Sequence, residues 1–222
     1  MTRMLLELGT NLFHNSRTYA VMMRRHPSPQ SMQRRATSSI RVDDGLVLRP
    51  ASKLMLPEIV EAFEETWPEV FRAMPWINPD KDIRPQIEDF IKDTERKGRS
   101  GILHHWVMIR PWDGFVIGLI GFDRVTRSEK AEWNLGYWVR SSEQRHGYAR
   151  RSIDASLKWL GEYGKIVVEM KVDPNNVPGT KTVLRTVRRW GGERCAPGDS
   201  PITVAGVRTM HECHLIEVGH VT

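Results

Sequence analysis

Between residues 142 and 160 the chain reads SEQRHGYARRSIDASLKWL, and Arg145, Gly147, Arg150 and Arg151 stand together where a polar loop gives way to an amphipathic stretch. A helix that begins near Gly147 or Tyr148 presents free backbone N–H groups and the positive end of its dipole, which suits a phosphate. Glycine at 147 lets an anion come close to the main chain. Guanidinium groups beside it can reach phosphate oxygens. The same run also fits a solvated helix start or a nucleic-acid patch, so the residues leave three readings open.

A second cluster with chemical capacity is His211-Glu212-Cys213-His214. On a strand, His211 and Cys213 face one way while Glu212 and His214 face the other, so four ligands cannot converge on one metal, and no metal site is expected. Trp67, Trp76, Trp106, Trp112, Trp133, Trp138 and Trp190 are expected in the core or as pocket walls. They are not expected to form a stacking platform for bases.

The elements that must position these residues follow from periodicity. GLVLRPAS, from Gly45, reads as a first strand ended by Pro50. Ile59, Ala62, Phe63, Val70 and Phe71 fall at helical intervals after Pro57, and Ile87, Phe90 and Ile91 make the stripe of a second helix stopped by Gly98. The runs HHWVMIR, FVIGLIGFDR and AEWNLGYWVR then read as an antiparallel meander. The 142–160 helix, a strand KIVVEMKV, a helical stretch from about Gly179 to Trp190 and strand-like runs near PITVAG and RTMHECHLIEV complete the chain. The pattern is α+β, with a mixed sheet and a strand, loop, helix, strand unit at its centre.

Residues 1–42 hold seven Arg and one acidic residue, whereas residues 43–222 hold 26 basic and 26 acidic side chains. The domain expected at 43–222 is therefore neutral, and neither nucleic acid nor a membrane surface is an expected partner. The basic, Ser/Thr-rich segment 1–42 reads as a disordered tail or as a transit peptide. With two cysteines a reducing compartment is expected, cytoplasmic, or mitochondrial if the segment acts as a transit peptide.

Gln144-Arg145-His146-Gly147-Tyr148-Ala149, read as Q-x-x-G-x-A after the strand LGYWV, resembles the pyrophosphate-binding signature of the GNAT superfamily of acetyl-CoA-dependent N-acetyltransferases. The order of elements, the LRP opening and the MPW segment are similar to its RimJ/RimL-like branch. The resemblance spans residues 45–218. It implies a GNAT fold with six to seven strands and about four helices, acetyl-CoA as co-substrate, and transfer of an acetyl group to an amine, either a small molecule or a protein N-terminus. A GNAT-fold CoA-binding module with little activity is the alternative, and a monomer or homodimer is expected.

By the same resemblance, the N–H groups of Arg145, His146, Gly147, Tyr148 and Ala149 hold the pyrophosphate, with the Arg145 and Arg150 side chains assisting and Arg151 facing water. Main chain at Trp138, Val139 and Arg140 pairs with the pantetheine, and Asn176 also contacts CoA. Trp76 and Tyr137 are assigned to the acceptor. Where the branch carries an acidic residue before the Gly-Tyr pair, this chain has Asn134. That leaves Glu132, on the same strand face, as the expected base through a water, and Asp123 as the second choice. No Tyr lies between Asn176 and Gly191 to act as general acid, leaving Thr180, Thr182 or solvent.

Overall fold

The computed structural model describes residues 35–125, 130–162, 164–204 and 206–219; of the tail or transit-peptide segment, residues 1–34 lie outside the described residues. Strand β1 (Ile40–Asp43) forms a hairpin with β2 (Leu46–Pro50). Helices α1 (Leu56–Glu65) and α2 (Ile83–Arg99) come next. Then follow the meander β3 (His104–Ile109), β4 (Val116–Arg124) and β5 (Trp133–Val139), then α3 (Tyr148–Gly161), β6 (Ile166–Val172) and α4 (Val177–Trp190). The chain ends in β7 (Glu193–Arg194), β8 (Ser200–Val204) and β9 (Val207–Val218). The sheet runs β1-β2-β3-β4-β5-β6-β9-β7, with β8 paired to β9.

Three expectations change. The ordered domain begins before residue 43: Thr37 N donates to Gly98 O at 2.9 Å, and the buried Trp106 indole donates to Ser38 O at 2.8 Å. The Asp44-Gly45 turn, a hairpin signal in the sequence, explains the added strand; Gly45 N closes it on Asp43 Oδ1 at 2.9 Å. With the short β7, this brings the sheet to nine strands where six to seven were expected. The first helix also stops at Glu65, and Val70 and Phe71 sit on a separate 3-10 turn, Glu69–Arg72. Pro68 lacks the N–H a continuing helix needs and disfavours helical geometry at Trp67.

Every strand pair is antiparallel except β5–β6, which α3 connects in parallel, and that pair is short: Trp133 to Val168 and Asn134 to Glu169. Beyond Asn134 the two strands part. β5 stays paired to β4 as far as Val139, so its other edge is open from Leu135 onward. The strand pairing sets the faces. One face carries Val107, Leu119 and Trp138 and is packed by Ile59, Phe63, Ile87 and Ile91 of α1 and α2. The opposite face carries Trp106, Phe122 and Trp133, against which Trp159 of α3 packs through edge-on ring contacts with Trp106 and His104. Helix α4 lies beside α3, where Trp190 Nε1 donates to Asp154 Oδ1 at 2.9 Å.

His104 is buried in that aromatic layer, with Thr37 Oγ1 2.9 Å from Nδ1. Burial, helped by the Arg124 charge, pushes its pKa down from 6.5 to about 4. The unfolded chain therefore takes up a proton near pH 6.5 that the fold refuses until about pH 4, and stability falls as pH drops through that window. The buried His214, also held low chiefly by desolvation, adds in the same direction. We expect a urea midpoint at pH 5 corresponding to about 2 kcal/mol less stability than at pH 7. Equal midpoints would show that His104 accepts its proton inside the fold.

Candidate active site

The open edge of β5 and the start of α3 form one continuous feature. Arg140 N donates to Ile117 O at 2.7 Å. In an antiparallel ladder this turns the main-chain groups of Trp138 and Arg140 toward β4 and those of Tyr137 and Val139 toward the gap. The groups available to a pantetheine arm are therefore those of Tyr137 and Val139, and of the expected set Trp138 and Arg140 are spent on the ladder. The Val139 carbonyl also accepts from Gln144 Nε2 at 3.2 Å. The Arg140 side chain is buried, pairs with Glu61 and Glu65 of α1, and lies 4.3 Å from the Phe115 ring centroid. It locks the end of β5 against α1, so the loop that follows leaves from a fixed point.

That loop has the conformation an anion requires. Arg145 (φ 67°) and Gly147 (φ 77°) are both left-handed, on either side of His146. Such alternation curls successive N–H groups into a concave nest. Gly147 is the N-cap of α3 and supplies no side-chain cap, and the first helical bond is Arg151 N to Gly147 O at 3.1 Å. The N–H groups of Tyr148, Ala149 and Arg150 therefore point out of the helix end without an intrahelical acceptor. A Cβ at Gly147 would meet no protein atom within 4 Å, so the space in front of the nest is open. Arg150 is more than half exposed and only 3.9 Å from Asp154, which leaves its guanidinium within reach of a phosphate. Arg151 does more than face water: it pairs with Asp43 and lies 4.8 Å over the Tyr148 ring, tying α3 to β1. Asn176 is the N-cap of α4, its Oδ1 accepting from Gly179 N at 3.1 Å.

Tyr137 projects from β5 on the α3/α4 side and hydrogen-bonds Thr182 of α4; burial raises its pKa, and the bond to Thr182 only partly offsets this. A protonated phenol thus stands beside the gap. It can offer a proton to a leaving thiolate, a role the sequence left to the threonines or to solvent.

On the α1/α2 side the floor of the gap is a pair of glycines, Gly121 of β4 opposite Gly136 of β5. The His105 ring lies over Gly121, where a Cβ would sit 1.9 Å from its Cδ2. Over Gly136 nothing lies within 4 Å. His105 Nε2 is 3.0 Å from Asp123 Oδ1, and its ring is 5.4 Å from that of Phe90, on which the half-exposed Trp76 packs at 4.8 Å. Burial works against the Asp123 charge, but the His105 hydrogen bond together with the His105 and Lys97 charges outweighs it, holding the carboxyl below the ordinary range. Asn134 lies opposite Asp123 and beside Glu169. Glu169 is buried, with Lys171 Nζ at 3.3 Å.

Of the residues read from the sequence, the structure brings Trp76, Asp123 and Asn134 to this floor. Glu132 stands at the closed end of the β5–β6 pair, half exposed, 3.8 Å from Arg124. His105 and Glu169 were missed: HHW and VVEMKV carry them without marking which face they occupy, and only Gly121, small enough to sit beneath a ring, hinted at it. In the HECH run, His211 Nδ1 lies 3.0 Å from Thr209 O and Cys213 Sγ 3.9 Å from Glu169. Burial pushes the Cys213 thiol up to about 11. No group of three or more potential ligands converges among the described residues.

The family model for the acetyltransferase (GNAT) domain matches residues 45–186. No curated protein matches the chain in sequence. Among solved structures it is similar to RimL, a ribosomal-protein alpha-N-acetyltransferase in complex with coenzyme A (TM-score 0.68, 15% identity, covering 81% of this chain and 98% of that one). It is also similar to a Salmonella typhimurium acetyltransferase that modifies the N-terminal serine of a 50S ribosomal subunit protein (TM-score 0.61, 17% identity, 80% and 97%). The microcin C7 self-immunity acetyltransferase MccE, solved with acetyl-CoA and AMP, has the same fold (TM-score 0.63, 16% identity, 80% and 95%). The family match covers more than half of a chain whose sheet opens above an anion nest, and this chain belongs to the GNAT acetyltransferases, which use acetyl-CoA to acetylate an amine.

Proposed function

We propose that the acceptor is the α-amino group of a protein N-terminus, presented as an extended segment whose amine reaches the open space over Gly136. The observation that carries this reading is the glycine floor on the α1/α2 side, with Trp76 beside it, across the sheet from α3 and its nest. A free N-terminus is slim enough to enter such a slot, while residues behind it can lie against the exposed Trp76. Helix α1 adds exposed Glu58 and Glu64, beyond the Glu61 and Glu65 that Arg140 pairs, which favours a positively charged N-terminal segment over an acidic one. RimL and the Salmonella enzyme act on ribosomal-protein N-termini, which supports the reading by analogy of fold.

In this reading the thioester lies along the open edge of β5 and the amine attacks it directly. The N–H of Tyr137 or Val139 is placed to stabilise the developing oxyanion. The test is acetyl transfer to peptides with free N-termini, the same peptides with blocked N-termini, and small polyamines or aminoglycosides. Free N-termini should be preferred in kcat/KM by at least about tenfold, and more for basic than for acidic segments. Equal use of blocked peptides, or preference for the small amines, would overturn the proposal. Acetyl-CoA binding without transfer to any acceptor would favour the binding-module alternative.

A further inference from the structure

We propose that His105, held by Asp123, is the general base that takes the proton from the attacking amine. The inference rests on the amine occupying the space over Gly136, whatever molecule carries it. Asn134 cannot accept a proton from an ammonium group, so the base must come from elsewhere on the floor. The three ring atoms of His105 nearest Gly121 are Cδ2, Cγ and Nε2. The opposite edge, with Nδ1, therefore turns away from Gly121, so an amine over Gly136 reaches it through water and not by direct contact. Asp123 accepts the Nε2 proton at 3.0 Å, which fixes the tautomer with its lone pair on Nδ1. The ring is only 11% exposed, and the Phe90 contact holds it in place.

The step balances simply. The neutral amine nitrogen forms a bond to the acetyl carbonyl carbon, and one N–H proton passes through water to His105 Nδ1. The C–S bond then breaks with its electron pair on sulfur, giving the CoA thiolate. His105 later returns its proton to solvent and the thiolate takes one from Tyr137 or from solvent, so amine and acetyl-CoA become amide and free CoA. Asp123 touches neither reactant and is a positioning residue. The other charged groups facing this pair are Lys97 of α2 and, across Asn134, Glu169 and Lys171 of β6.

Glu169 is the competing base, and the experiment separates the two. The full chain and its His105→Gln, Asp123→Asn and Glu169→Gln variants are assayed for kcat against pH, using whichever acceptor the wild type uses best, with acetyl-CoA affinity measured by calorimetry. His105→Gln should lower kcat about 100-fold and abolish the acid limb of the profile, with acetyl-CoA Kd within about twofold of wild type. Asp123→Asn should cost about tenfold and move that limb, since it leaves His105 present but free to take the wrong tautomer. Added imidazole should restore part of the activity of His105→Gly. A His105→Gln enzyme with an unchanged acid limb and kcat within about threefold of wild type would overturn the proposal. So would a Glu169→Gln enzyme that alone loses the limb. Because the acceptor is whichever amine works best, failure of the N-terminus reading leaves this test intact.

Discussion

Replacing Gly147 by Val should weaken acetyl-CoA binding by about 10- to 100-fold while leaving a folded protein. Two effects combine at this position. The backbone is left-handed at φ 77°, a conformation that costs a residue with a Cβ about 1–2 kcal/mol and a β-branched one more. The chain will relax away from it and misaim the N–H groups of the nest. The open space in front of Gly147 would also be filled by the side chain. A charge-assisted hydrogen bond contributes about 1.5–3 kcal/mol, so losing one corresponds to that range of affinity. Gly114 is the control, since it has φ 74° and nothing within 4 Å in the β3–β4 turn. Gly114→Val should cost similar stability and leave the acetyl-CoA Kd unchanged. Calorimetric titration of both variants decides it, and equal affinities would remove the nest from cofactor binding.

A chain starting at Arg35 should unfold as the full protein does, whereas one starting at Asp43 should lose about 4 kcal/mol, lowering Tm by roughly 10 °C. The longer form keeps Thr37 on His104, Ser38 on the Trp106 and Trp159 indoles, and Arg35 over the Trp159 ring at 5.0 Å. The shorter form leaves the indole N–H of Trp106, which is fully buried, without its acceptor and strips β2 of its edge partner. An unsatisfied buried donor alone costs about 1–3 kcal/mol. Thermal melts of the two forms give the answer. Matching Tm values would show that residues 35–42 only cover the domain and do not support it.

The meander, the α3 helix and the loop that leads into it were legible in the sequence because they are local. Alternating apolar runs fix β3, β4 and β5, and the spacing from the strand LGYWV to Gly147 fixes a strand, loop and helix whose N-terminus must present free N–H groups. The β1 hairpin was legible too, in Asp44-Gly45, but a basic flanking composition masked it. The helix break at Pro68 followed from a residue that lacks an N–H, although the apolar spacing ran through it.

The acceptor half was not local, and the sequence could name its residues only as candidates. Asp123, Asn134 and Trp76 were visible as types, but whether Asp123 meets a histidine depends on the pairing of β3 with β4, and a one-residue slip would send His105 to the opposite face. The sequence by itself determined that an anion nest follows a strand and that no acid occupies position 134. Only the tertiary structure decided which main-chain groups face the gap, that Arg151 ties α3 to β1, and that His105 and Asp123 meet over a floor of two glycines. The nest is written in consecutive backbone geometry, whereas the glycine floor and the side chains around it are assembled from neighbouring strands whose register only the packed sheet sets.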